Sequence, residues 1–304
     1  MRPQSRIIIF CGKGGVGKTT LSLALGLFHA AAGRKVVVVS SHPLPELAVA
    51  VSLEGLAEQY PAAAQNLYVV HLNSKELLAE LVRNNFPVQW VARAVLESEI
   101  YNNLVEVAPG LKEFYFLARL QQLAERHAAA GEYPDYDLLL WDAPATGHFL
   151  GTLRSARAFE TYLTGPLAAA GAELARFFSN AANIVLLPTT TLEEMAMQET
   201  VEMCRALDHD FQLKPARVLL NLVSPVVDAP EEEVERLARQ SEESSDPALR
   251  FAVDRGLMER QRAIEMRLDL GVQTVAVERA RHWSSDLELL AQIGRGLAGI
   301  PVSA

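Results

Sequence analysis

The sequence predicts an α/β protein: a doubly wound, mostly parallel sheet with a helical insertion. Three observations carry that expectation. Short, continuous apolar runs such as "RIIIFC" (Arg6 to Cys11) and "RKVVVVSSHP" (Arg34 to Pro43) are rich in β-branched residues. Continuous runs of this kind suit strands covered on both faces. Stretches with apolar residues at helical spacing separate them. A glycine-rich segment, "CGKGGVGKTT" (residues 11 to 20), joins the first run to the first helix. With 304 residues, 50% hydrophobic and 21% charged, the chain suits a single domain, 1–304, carrying an insertion over 45–134.

Composition excludes several classes. Two cysteines, Cys11 and Cys204, allow at most one disulfide and no cysteine-only zinc site. A reducing, cytoplasmic setting follows as the expectation. No apolar run approaches the ~20 residues of a membrane helix, so no stable membrane insertion is expected. The opening "MRPQSRIIIFCGKGG" runs straight into the glycine loop and does not read as a signal peptide. A net charge of −9 argues against nucleic acid or an anionic membrane as the main partner. Nucleotide binding needs only local positive charge.

Taken in order, "RIIIFC" is the first strand and "TTLSLALGLFHAAAG" the first helix, stopped at Gly33. Between them Gly12, Gly17, Lys18 and Thr19 satisfy G-x-x-x-x-G-K-[ST]. Glycines let the backbone wrap an anion, and the helix N-terminus adds partial positive charge. Lys18 is expected to neutralise the β- and γ-phosphates, and the Thr19 hydroxyl to ligate Mg2+. The alternative is a glycine turn without ligand. The strand–loop–helix context favours a P-loop NTPase.

"DYDLLLWDAPATGHFL" (Asp135 to Leu150) is a further strand whose apolar run ends at Asp142. A carboxylate at the C-terminal edge of a parallel strand either holds the Mg2+ hydration shell or caps the turn. "NIVLLPTT", "ARVLLNLV" and "GVQTVAV" complete the strands. Inside 45–134 the one strand signal is "NLYVVHL"; the rest is helical. Trp90, Phe114, Tyr115 and Phe116 there either line a groove for an apolar client segment or belong to the core.

A lysine just before G-G-x-G-K, here Lys13, resembles the deviant Walker A loop of the MinD/ParA, nitrogenase-reductase and arsenical-pump classes. "DAPATGH" (Asp142 to His148) looks like the D-T-A-P-T-G-H switch II of the arsenical pump-driving and tail-anchored-protein targeting ATPases. "APGLKE" (Ala108 to Glu113), "LPTTTLEEMAMQET" (Leu187 to Thr200) and "LLNLV" are similar to further segments of that family. The resemblance implies ATP and Mg2+ as cofactors. It implies that Gly12, Lys13, Gly14, Gly15, Val16, Gly17, Lys18, Thr19 and Thr20 bind phosphates, that Thr19 and Asp142 hold the metal, and that Asn221 contacts adenine. Asp142, Ala143, Pro144, Ala145, Thr146, Gly147 and His148 form switch II, with His148 in the γ-phosphate sensor. One P-loop per chain implies a homodimer, with Lys13 reaching the partner subunit's nucleotide, and an unidentified protein client or effector.

Three departures qualify the resemblance. Where the family carries a water-polarising aspartate, in S-T-D-P-A-H, this chain reads "SSHPLPEL", so His42 takes that place. Loss of such a group costs about 100-fold or more, which predicts a slow ATPase. Glu46 or an ordered water is the alternative if the loop has shifted. No C-x-x-C precedes the last helical stretch, so no zinc clasp is expected. The cysteines that bind arsenite in the pumps have no counterparts. Two rival readings stand beside the ATPase: a non-hydrolysing nucleotide switch or scaffold, and a MinD/ParA-like positioning ATPase, which asks for a basic tail that "SSDLELLAQIGRGLAGIPVSA" does not supply.

Overall fold

The computed structural model describes residues 7–40, 57–73, 76–77, 110–125 and 136–300. Among these, seven strands form one sheet in the order β3-β2-β4-β1-β5-β6-β7. They are β1 (Ile7–Gly12), β2 (Val36–Ser40), β3 (Leu67–His71), β4 (Leu138–Ala145), β5 (Ile184–Thr190), β6 (Val218–Val223) and β7 (Thr274–Glu278). Every pairing is parallel, so the strands' C-terminal ends share one edge, where ligands of open α/β sheets bind. The fold class is the one the alternating runs predict.

Alternation along β1 explains the two layers. Ile8 and Phe10 face α1 (Lys18–Ala31) and the final helix, while Ile7 and Ile9 face the opposite layer. That opposite layer is built from α3 (Leu111–Ala124), α4 (Thr146–Tyr162), α5 (Pro166–Phe178) and α6 (Glu194–Phe211). A satellite core joins β6 to α6 and to α8 (Pro247–Leu270) through Leu220, Val223, Val201, Ala263 and Met266. The remaining helices are α2 (Pro61–Asn66), α7 (Glu231–Glu243) and α9 (Asp286–Gly296), the last packed on α1.

The described parts of the 45–134 stretch pack into this frame. β3 pairs with β2 as an edge strand. Phe114 and Phe116 are buried core residues on α3: Phe114 stacks on Phe159 at 4.2 Å between ring centroids, and Phe116 lies 5.3 Å from Trp141. Tyr115 packs against the same core. Phe114 and Phe116 are therefore core and Tyr115 is partly buried beside them, because α3 packs that part of its surface against the sheet. Trp90 lies outside the described residues, as does His42.

Candidate functional site

Register brings the site together. Phe10, Asp142 and Ser40 pair across β1, β4 and β2, so the carboxylate sits level with the last turn of backbone before the glycine loop. Gly12 (φ +142°) crosses β5 so tightly that a Cβ would lie 2.2 Å from the Thr189 carbonyl oxygen. Only glycine fits there, and the chain leaves the sheet at that point. Gly17 (φ +96°) is equally constrained: its Cβ would meet Asn221 Nδ2 at 2.3 Å.

Lys18 opens α1 and folds back over the loop. Its ammonium donates to the Gly12 carbonyl at 3.0 Å and the Lys13 carbonyl at 2.9 Å. The side chain is largely buried, and that desolvation lowers its pKa, opposed by the negative charge of Asp142. One residue on, the Thr19 hydroxyl donates to Asp142 Oδ2 at 2.7 Å. Asp142 is buried. A hydroxyl and a carboxylate side by side, both hard oxygen donors beneath a helix N-terminus, suit Mg2+. Lys13 is partly exposed, and no contact holds its ammonium among the described residues. Gly14 and Gly15 are exposed at the loop tip, Val16 is buried, and Thr20 is partly buried on α1.

The switch segment begins against this loop. A Cβ on Gly14 would contact Ala145 Cβ at 3.9 Å. Ala143 and Asp142 are buried; Pro144 and Ala145 close β4, and Thr146, Gly147 and His148 begin α4. The buried Thr146 hydroxyl has no hydrogen-bond partner among the described residues. His148 Nε2 lies 4.0 Å from Glu113 Oε1 in the first turn of α3. Two segments that sequence similarity picked out separately, "DAPATGH" and "APGLKE", thus meet in space.

Asn221 closes the opposite side. Its amide donates to the Val16 carbonyl at 2.8 Å, tying β6 to the phosphate loop across 205 positions of sequence. The following residue, Leu222, has φ +59° and interrupts the β6–β7 register. Beside it a cavity of about 440 Å3 is lined by Asn221, Leu222, Glu193, Phe251, Met258 and Arg279. A purine nucleoside fits a space of this size and mixed character. Sequence reading missed the α8 side of this cavity, since residues 247–270 show only an ordinary amphipathic pattern.

Comparison with known proteins finds a family for the chain. A family profile described as anion-transporting ATPase matches residues 5–243. "Putative arsenical pump-driving ATPase 2" of Aquifex aeolicus is 30% identical over 165 residues, covering 52% of this chain and 52% of that protein. "ATPase BagA" of Mycobacterium tuberculosis is 28% identical over 232 residues, 71% of this chain and 64% of that one. "ATPase ARSA1" of Chlamydomonas reinhardtii is 26% identical over 177 residues, 49% of this chain and 22% of that one. The chain thus spans about half to two thirds of the length of the first two relatives. Since the matched region runs from the first strand through the switch segment and Asn221 to α7, this chain belongs to the anion-transporting ATPase family.

Proposed function

We propose that this protein is a homodimeric ATPase that binds Mg-ATP and uses the nucleotide's state to switch its hold on a protein partner. The contact between Thr19 and Asp142 carries the reading. It couples the helix that receives the phosphates to the first residue of the switch segment, so a ligand at one is felt by the other. Lys18, already bent over the loop, neutralises the β- and γ-phosphates; its desolvated ammonium interacts more strongly there than in water. Thr19 and the Asp142 carboxylate would hold Mg2+, which would supply positive charge to the phosphates. Thr146, with an unspent hydroxyl, offers a donor to the terminal phosphate. One Asn221 amide N–H is spent on Val16, which leaves its oxygen and its second N–H for the base; one acceptor beside one donor matches the amine and ring nitrogen of adenine better than the two acceptors guanine presents there.

The dimer is supported by Lys13, whose ammonium is held by nothing within the described protomer. The slow rate is supported by His42 in place of the usual aspartate. The protein client is supported by the His148–Glu113 contact, which links the phosphate sensor to α3. No helix of the described residues is long and apolar enough to cross a membrane. An arsenical ligand is not part of the proposal. Trivalent arsenic asks for converging thiolates, whereas Cys11 and Cys204 are buried free thiols with raised pKa values, that of Cys204 pushed up to about 12 by burial.

Single-turnover ATP hydrolysis by wild type and His42→Asp tests the reading. We expect slow product formation that accelerates on restoring the aspartate. Silence in both favours the non-hydrolysing switch, the reading that His42 itself suggests.

A further inference from the structure

α8 does more than cover the sheet. At Gly256 it passes the turn after β6 so closely that a Cβ would lie 2.8 Å from Val226 Cγ2 and 3.0 Å from Ser224 Oγ. One turn further along, Glu259 is 6% exposed. Its Oε2 accepts the Ser224 backbone N–H at 2.6 Å, and its Oε1 accepts from Arg255 Nε at 2.9 Å. Three residues later Arg262 donates to the Leu192 carbonyl at 2.7 Å. A single helix face therefore grips both the β5–α6 turn and the β6 turn, the two segments that rim the cavity containing Asn221.

The grip matters because of what lies between. Ser224 is three residues past Asn221, and Leu222 intervenes in a left-handed conformation that a non-glycine residue keeps only when its surroundings over-determine it. Arg279 secures the far side, its backbone N–H donating to the Val223 carbonyl at 3.0 Å and its Nη2 to the Leu222 carbonyl at 3.3 Å. On the near side, Glu259 fixes Ser224. A buried carboxylate is a demanding choice for a brace, since it requires its own cation, which Arg255 provides.

We propose that Glu259 is a positioning residue for the nucleoside: by anchoring Ser224 it holds the Leu222 turn in place and aims Asn221 at the base. This rests on the nucleotide-binding reading of the site. Glu259 bonds Ser224 and Arg255 and makes no hydrogen bond to the phosphate loop among the described residues; Asn221 does reach Val16, so the effect falls on base recognition more than on phosphate binding.

The test compares Mg-ATP, Mg-GTP and Mg-tripolyphosphate binding to full-length wild type, Glu259→Ala, Glu259→Gln and Gly256→Ala. Glu259→Ala is expected to weaken ATP about tenfold, the scale of one charge-assisted hydrogen bond. It should also narrow the ATP-to-GTP ratio while weakening tripolyphosphate much less than ATP. Glu259→Gln, which keeps an acceptor for Ser224, should recover most of the loss. Gly256→Ala, which pushes α8 off the same turn with Glu259 intact, should reproduce it, and it carries the test if Glu259→Ala fails to fold. An unaltered ATP-to-GTP ratio in the alanine variants overturns the proposal, as does an equal loss for ATP and tripolyphosphate, which marks general loosening. Wild-type protein that binds none of the three ligands overturns the nucleotide reading and this inference with it.

Discussion

The two ends of the site are built by different means. At the phosphate end most of the groups come from residues 12 to 19, with Asp142 added from β4, and backbone does most of the holding: Lys18 is steadied by two carbonyls and the chain turns where only glycine fits. At the nucleoside end nothing is local. Asn221 reaches Val16, Arg262 reaches Leu192 across 70 positions, and Glu259 reaches Ser224 across 35. The phosphate end is thus a motif and the nucleoside end is a clamp. A motif tolerates little substitution because each backbone group faces the ligand. A clamp is expected to lose selectivity before it loses binding.

The sharpest break of that contrast comes from Lys18→Ala. It removes the one side-chain cation folded into the loop and should lower ATP affinity by about 100-fold or more, read by fluorescent-nucleotide titration. Tripolyphosphate should suffer equally, because the loss is at the phosphates. Next, Asp142→Asn keeps the shape but discards the charge beside Thr19. Hydrolysis should fall on the order of 100-fold and need higher Mg2+ for half-saturation, which metal titration of the initial rate checks. A variant with wild-type Mg2+ dependence would separate Asp142 from the metal. Asn221→Ala comes third: about tenfold weaker ATP binding with tripolyphosphate little changed. Equal losses for both ligands would show that the tie to Val16 serves the phosphate loop more than the base.

The smallest effect lies away from the site. His29 on α1 is buried, its Nε2 finds no partner among the described residues, and burial followed by the nearby positive Arg34 lowers its pKa from 6.5 to about 4. The unfolded chain therefore takes up that proton more readily than the folded one. Stability from neutral His29 is complete above about pH 6.5 and declines as pH falls from there toward 4. Thermal melts of wild type and His29→Leu across that window should diverge, with the variant less sensitive to acid.

Much of the frame could be read without coordinates. The apolar runs mark all seven strands to within a few residues, because strands buried on both faces leave a hydropathy signal that needs no partner to recognise. The glycine loop, Lys18 and Thr19 were legible because the phosphate chemistry demands those residue types at short, fixed spacing, and Asp142 because it ends the apolar run of a parallel strand. Two matters were not. The aromatic run at 114–116 was compatible with a groove or a core, and the side α3 turns to the sheet decides for core. Glu259, Arg255 and Arg262 gave no signal at all, since charged residues at helical spacing look the same whether they face water or a loop.

The chain's own order of residues, then, determined the strand sequence, the phosphate loop and the carboxylate that meets it, because each rests on local backbone geometry or on burial that any parallel sheet imposes. Tertiary structure alone decided the rest. The pairing of His148 with Glu113, the tie from Asn221 to Val16 and the hold of α8 on two distant turns depend on where packing sets elements far apart in sequence, and hydrogen bonds act over a few ångströms in space, whatever the separation along the chain.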